Sequence, residues 1–330
     1  MMHMLKNGVI LKMNNNEKGI MKEIAGDFLY SFLQENDKAI LVNADLAREF
    51  NLTKLIDDCP EQMVNVGIAE QNMISVSAGL ALEGFIPICI TFSSFATMRC
   101  CEQIRSDACY GDLPLIILAT YSGYSGAIMG ATHSGLEDCA IVSSFENMIV
   151  LEPSDPWSIK NAILAAYKAK KPTYIRMGSA PYPQIYSKDK EFIIGKATLA
   201  RDGSDGAFIV SGVTTFFALE AAERIYKDLG KHVQVVDMGS IKPIDADAIL
   251  SATKTGKIIC AQDHNKNNGL GSAVAKVLAL NGISCQFDIL GCEEKYVPLA
   301  TPEFMYHKNG YDADGLYEHM SKMLSDNSVQ

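Results

Sequence analysis

The chain has 330 residues, 48% hydrophobic and 21% charged, which bounds it at about two globular domains and excludes a disordered or fibrous class. A net charge of −10 argues against nucleic acid or an anionic membrane as partner, since both call for clustered cations, and no run reaches the roughly 18 apolar residues of a spanning helix. Nine cysteines, an odd number with no C-x-x-C pair, read as reduced thiols rather than a disulfide framework or zinc site. The N-terminal stretch MMHMLKNGVILKMNNNEKG lacks a signal-length apolar region and a cleavage site, so a cytoplasmic protein is expected.

In chain order, an N-terminal extension (1–17) precedes apolar positions at helical spacing over 18–35. The run AILVNADLA (39–47) has the pattern of a buried strand feeding a functional loop. A helix is predicted over 69–82, a strand over 86–91, a helix over 94–110 and a strand over 113–120. Then comes the Gly/Ser-rich loop YSGYSGAIMGATHSG (121–135), followed by a helix, a strand (148–152), a helix (156–169) and a strand (173–176). Such alternation implies a parallel sheet covered by helices on both faces.

The segment GSAPYPQIYSKDKEF (178–192), with two prolines and no periodicity, reads as a linker. A second alternation follows: strands at 207–211, 233–238, 257–261 and 284–290, with helices at 214–229, 245–253 and 270–281. The expected division is a first domain over 18–185, a linker over 186–194 and a smaller α/β domain over 195–330. The tail beyond Tyr317 ends polar and is expected to fray.

Glu70 falls in the first turn of its predicted helix, where an acid can simply complement the helix dipole. Phe92 and Phe95 can equally be core filling. Taken together, an acid, an aromatic pair and a glycine-rich loop, each after a different strand, lie where open α/β sheets bind ligands.

The stretches NVGIAEQNMISVSAGLALEG (65–84), TFSSFATMRCCEQIRSDACYGDLPLIIL (91–118) and GATHSGLED (130–138) resemble the pyrimidine-binding domain of transketolases. MGSIKPIDADAI (238–249) and HNKNNGLGSAVAKVLA (264–279) resemble the family's C-terminal domain, so nearly the whole chain from 18 to 290 is covered in matching order. The resemblance implies two doubly wound, mainly parallel-sheet domains and a thiamine diphosphate cofactor. Glu70 would contact N1′ of the aminopyrimidine, sharing the proton that lets the 4′-imino group act on the thiazolium; shielding from water favours the neutral acid this needs. Phe95 would stack on the aminopyrimidine, Phe92 would line the pocket, and Asp45 matches an acidic position near the cofactor where two subunits meet. His133 matches the histidine that hydrogen-bonds the donor ketose hydroxyl. Arg176 matches an arginine that grips a substrate phosphate, a task suited to its forked geometry.

Substrate-side positions depart from the family pattern. Glu49 stands where a phosphate-binding serine is usual, Tyr121 where a phosphate-binding histidine is usual, and Met129 where an aspartate reads sugar hydroxyls. Losing phosphate partners and gaining a carboxylate would repel a phosphate, which points to a transketolase-type reaction on a non-standard sugar. GLGSAV (269–274) lacks the third glycine of a dinucleotide loop, and the adjacent Asp263 and His264 read as structural or interfacial.

The family holds the cofactor diphosphate through Mg²⁺ on a G-D-G motif with a later asparagine, and no such arrangement occurs in these 330 residues. The resemblance therefore implies half of a split enzyme. Its partner would be an N-terminal, diphosphate-binding subunit carrying the metal, in a heterotetramer with two copies of each chain. The reaction implied is transfer of a two-carbon ketol unit from a ketose to an aldose. Two alternatives remain open at this point: the beta subunit of a 2-oxo acid dehydrogenase decarboxylase, against which C-E-Q-I-R-S-D (101–107) and G-A-T-H-S-G-L-E-D weigh, and a non-catalytic binding paralogue, against which Glu70 and Phe95 weigh.

Overall fold

A computed structural model of the chain describes residues 14–293 and 295–326. Runs such as AILVN, IPICITF and IILAT are apolar without alternation, a composition that suits strands buried on both faces. They form the centre of a seven-stranded sheet. Its members are, in part, β2 (Ala39–Asn43), β3 (Met63–Asn65), β4 (Ile86–Phe92), β5 (Ile116–Thr120), β6 (Ile149–Leu151) and β7 (Thr173–Arg176), all parallel, in the spatial order β6-β7-β5-β4-β2-β3. Helices Met21–Glu35, Glu70–Leu82 and Ser158–Ala169 cover it; Glu70–Leu82 turns Met73, Ile74, Ser77, Ala78 and Ala81 inward at helical spacing.

A second sheet is built from β9 (Thr198–Arg201), β10 (Gly206–Val210), β11 (Val233–Asp237), β13 (Lys257–Asn265) and β14 (Gln286–Cys292), ordered β14-β13-β10-β11-β9. It is parallel except for β9, which runs antiparallel at the edge. The sequence does not announce β9, nor the short β12 (Ser240–Lys242). That strand leaves the second unit and completes the first sheet, antiparallel to β6. The two sheets are thus stitched by a strand of three residues.

Four sequence expectations are corrected. Residues 18–20 are not helical: they belong to β1 (Asn14–Ile20), which pairs antiparallel with β8 (Pro181–Gln184) in a two-stranded ribbon. The stretch read as a linker therefore contains a strand, and it buries Tyr182, Ile185 and Tyr186. Residues 1–13 of the expected extension lie outside the described residues. The helix expected over 94–110 is irregular, with wide i→i+5 turns at Phe95–Arg99 and Ile104–Cys109 around a short α-helical piece at Cys101–Gln103. The tail beyond Tyr317 is held in the helix Ala313–Ser325, whose Leu316 and Met320 are buried and which packs on the helix Val213–Leu229; residues 327–330 lie outside the described residues.

Candidate cofactor and substrate site

Open parallel sheets place ligands at the carboxyl ends of their strands, and the sequence-predicted residues gather there. Asp45 follows β2, Glu70 follows β3, Phe92 and Phe95 close β4, and the loop from Tyr121 to His133 follows β5. These four strands are neighbours, so loops far apart in sequence converge. Glu70 opens its helix and is 4% exposed, a carboxyl group buried at a helix N-terminus. The π-helical turn Phe95–Arg99 stacks residues four apart nearly above one another. Through it the Arg99 guanidinium lies 3.6 Å from the Phe95 ring centroid, while its Nη1 donates to Glu70 Oε1 at 2.9 Å. Arg99 itself is half-exposed. A planar, nitrogen-bearing cation thus already rests on the aromatic platform with its edge against the buried acid. A cleft of about 590 Å³ opens over Glu70 and Arg99, bounded by Ile68, Asn72 and Gln103. A somewhat larger cavity, about 670 Å³, lies elsewhere, between Tyr186, Lys190 and Asp237, and touches none of the residues singled out from sequence.

The His133 ring packs against both phenylalanines, with centroids 5.7 Å from Phe92 and 5.1 Å from Phe95, and its Nδ1 is 2.8 Å from the Thr132 hydroxyl. Ser93 and Ser94, just after β4, donate to the carbonyls of Tyr121 and Thr132, tying the glycine-rich loop to the phenylalanine turn. Tyr121 meets Phe92 edge-on at 4.8 Å.

Beyond it, Lys22 Nζ donates to Glu49 Oε2 at 2.6 Å and lies 3.1 Å from the Tyr121 hydroxyl, which is 3.4 Å from the same Glu49 oxygen. Burial alone would lower the Lys22 pKa, but the bonds to Glu49 and Tyr121 hold it above its usual value. The Glu49 carboxylate, expected to repel a phosphate, does not stand alone: its charge is matched by Lys22, and the trio is close to neutral. Asp45 is exposed, has a positive φ of 62°, and is held by Asn65, whose side-chain oxygen accepts from the Asp45 N–H at 3.1 Å. Met129 is half-buried in the same loop as His133 and offers no strong hydrogen-bonding group there.

Arg176 does not join this site. It is 1% exposed. Its Nε and Nη2 donate to Asp138 at 2.9 and 3.1 Å, its Nη1 to Glu152 at 2.5 Å, and Nη2 also to the Asp263 carbonyl at 3.0 Å. A guanidinium so fully engaged and sealed has no face left for a substrate phosphate, so the expected role is replaced by an architectural one between the two sheets. Burial would raise Asp138, but Arg176 and His264 hold its carboxyl below the usual range; His264, also buried, is pushed below its ordinary value by desolvation. Asp138, Cys139 and His264 bring ligand-type atoms together, yet Asp138 is spoken for by Arg176 and Tyr174, and His264 Nε2 already accepts the Ala140 N–H at 3.4 Å.

Sequence reasoning missed Lys22 and Arg99. Arg99 was visible as the residue four beyond Phe95, a spacing that meets on one helical face. Lys22 carried no local signal, because its partners lie 27 and 99 residues away.

Parallel sheets whose strand ends collect a buried acid, an aromatic platform and a loop histidine define a cofactor-using α/β enzyme. Residues 19–184 match the family described as "Transketolase, pyrimidine binding domain" and residues 195–315 match "Transketolase, C-terminal domain". The chain is 33% identical over 266 residues to the 6-deoxy-6-sulfo-D-fructose transketolase subunit SqwH of Clostridium sp. (strain MSTE9), covering 80% of this chain and 82% of that one. It is 30% identical over 292 residues to an apulose-4-phosphate transketolase subunit of Phocaeicola vulgatus, covering 88% and 93%. A solved split-gene transketolase, described as an inactive beta4 tetramer, superposes with a TM-score of 0.83 at 33% identity, covering 93% of this chain and 98% of that one. The chain belongs to the transketolase family, whose members depend on thiamine diphosphate, and it carries the pyrimidine-binding and C-terminal portions of a split transketolase. Among the described residues no helix is long and apolar enough to cross a membrane.

Proposed function

We propose that this chain supplies the pyrimidine side of a heteromeric transketolase that moves a two-carbon ketol unit from a ketose to an aldose, at least one of them a non-standard sugar. The observation that carries the reading is the placement of Arg99: its flat guanidinium occupies, at once, the ring platform of Phe95 and the carboxyl of Glu70. A site shaped to hold that group fits an aminopyrimidine, which is likewise planar and edged with nitrogen. Thiamine diphosphate, when bound, would supply the carbanion chemistry. Glu70, shielded from water, would hold a proton at the pyrimidine edge. Phe95 and Phe92 would exclude water and orient the ring, and His133, packed on both, would donate to a substrate hydroxyl. Arg99 would have to swing aside, which its half-exposed position permits. Asp45, at the mouth, would face the partner.

Mg²⁺ and the diphosphate would be held by a partner chain that carries the G-D-G motif, in a complex with two copies of each chain. The exposed apolar side chains Ile68, Met98 and Ile128 each lie within two residues of Glu70, Arg99 or Met129, as expected where a partner covers the site. Nine unpaired cysteines suit a reducing, cytoplasmic setting.

Charge balance distinguishes the substrate end. Lys22, Glu49 and Tyr121 form a mutually bonded, near-neutral set beyond Phe92 and His133. A phosphate dianion there would meet one cation already claimed by a carboxylate, whereas a hydroxyl-bearing end would find donors and acceptors of both kinds. Two relatives bear the names of transketolase subunits for 6-deoxy-6-sulfo-D-fructose and for apulose 4-phosphate, which supports a specialised substrate. The test combines this chain with its G-D-G partner, thiamine diphosphate and Mg²⁺, and compares xylulose 5-phosphate and ribose 5-phosphate with unphosphorylated ketoses and aldoses. Efficient turnover of both phosphates would overturn the specialised-substrate reading. Absence of ketol transfer across the whole panel would overturn the enzyme reading.

A further inference from the structure

We infer that Asp263, on the second domain, is a positioning residue for the loop of the first domain that carries Tyr121 and His133. The kinetic consequence rests on the function proposed above; the anchoring itself does not. Asp263 sits near the end of β13 and is buried. One of its oxygens, Oδ1, accepts the backbone N–H of Tyr124 at 2.8 Å and the hydroxyl of Tyr311 at 2.7 Å. Its carbonyl accepts from Arg176 at 3.0 Å, so the residue cannot drift toward or away from the loop without disturbing the buried ion pairs.

The loop is shaped to meet that carboxylate. Tyr121 and Gly123 both have positive φ, 59° and 64°, and a Cβ on Gly123 would fall inside the Asp263 carboxylate. A tyrosine in the left-handed region is held only where its surroundings over-determine the backbone. Here the determinants are the Tyr124 N–H on Asp263, the Gly123 N–H on the Gly135 carbonyl at 2.8 Å, and the Ser93 hydroxyl on the Tyr121 carbonyl at 3.1 Å. Two backbone bonds from the second domain grip the loop further along: Ala300 N–H to the Ala127 carbonyl at 3.3 Å, and Asn265 N–H to the Leu136 carbonyl at 2.8 Å. Asn309 Oδ1 also accepts the Tyr124 hydroxyl at 3.4 Å, so Asp263 is the second-domain side chain among these that holds the loop by its backbone. Through it the second domain sets where Tyr121 and His133 stand relative to Phe92, Phe95 and the Lys22–Glu49 pair.

The experiment uses Asp263→Asn, whose amide oxygen still accepts, and Asp263→Ala, whose methyl cannot. Hydrogen exchange over residues 121–136 in the intact chain is expected to quicken roughly tenfold or more in Asp263→Ala and to stay near wild type in Asp263→Asn. In the assembled enzyme, Asp263→Ala is expected to raise the ketose KM by about tenfold with thiamine diphosphate affinity within about twofold of wild type, and Asp263→Asn to restore it. Should Asp263→Ala fail to fold, Gly123→Ala presses on the same contact from the loop side and is expected to reproduce both changes. Unaltered exchange in a folded Asp263→Ala or Gly123→Ala chain overturns the inference. So does an Asp263→Asn chain as impaired as Asp263→Ala, or a parallel loss of cofactor affinity. A wild-type complex that transfers no ketol group would sink the proposed function, while the exchange measurement would still decide the anchoring.

Discussion

Two arginines, Arg99 and Arg176, sit at the carboxyl edge of the same sheet and bond to acids, yet they do opposite work. Arg176 is sealed, with Asp138, Glu152 and a carbonyl of the second domain taking its donors. Arg99 is half in water, bonded to Glu70 with a ring beneath it. Removing a buried charge from its partners leaves those partners unpaired in a medium that cannot solvate them, whereas an exposed guanidinium trades a weak bond for water at little cost. The first arrangement builds architecture, and the second, on the function proposed above, would yield its place to a ligand.

The strongest way to break that comparison is at Glu70. Glu70→Gln is expected to lower ketol transfer by roughly 10²- to 10⁴-fold while leaving assembly with the partner intact, checked by steady-state kinetics beside native mass measurement. Near-normal turnover would remove Glu70 from the chemistry. Next comes Arg176→Met, which should destabilise the chain by about 3–5 kcal/mol by stranding Asp138 and Glu152; a thermal midpoint equal to wild type would mean that the hub is not architectural.

A third test reads pH. Burial pushes Asp237 up to about 6, even though Ser154 and Tyr186 donate to it at 2.6 and 2.8 Å. An acid raised in the folded state binds its proton more tightly there than in the unfolded chain. Stability should therefore fall as pH rises from about 4 to about 6, by on the order of 2–3 kcal/mol for this group. Asp237→Asn should flatten that fall, as seen in denaturation midpoints at about pH 4.5 and 7.5. An unchanged slope would refute the assignment.

The smallest effect is expected at Arg99. Arg99→Ala should leave stability within about 0.5 kcal/mol and tighten thiamine diphosphate binding to the assembled complex about fivefold, by removing a cation–π contact and an exposed ion pair that compete for the site. Weaker binding would show that Arg99 helps hold the cofactor instead of guarding its place.

The legible part of this molecule was its repeating local pattern. The apolar runs of β2, β4 and β5 and the helical spacing of 70–82 and 213–229 announce buried strands and covering helices in their own neighbourhoods. Glu70, Phe92, Phe95 and His133 stood out through their motifs; in the fold the three rings pack on one another and Arg99 bridges Phe95 to Glu70. What stayed hidden depends on distant pairing. β1 is a strand because β8 lies beside it, β12 belongs to a sheet that its own domain does not build, and Lys22 matters because Glu49 and Tyr121 come to it. Arg176 misled because its motif position says nothing of how deeply it is buried.

Sequence alone therefore carried the family resemblance through its motifs, and the alternation of strand and helix and the candidate chemical side chains through periodicity and residue type. Tertiary structure decided which arginine is half in water and which is sealed, that Glu49 is paired, and that the second domain reaches the site loop through Asp263. Burial and non-local hydrogen bonding exist only once the chain has closed on itself, and they are what convert a charged side chain into either a strut or a tool.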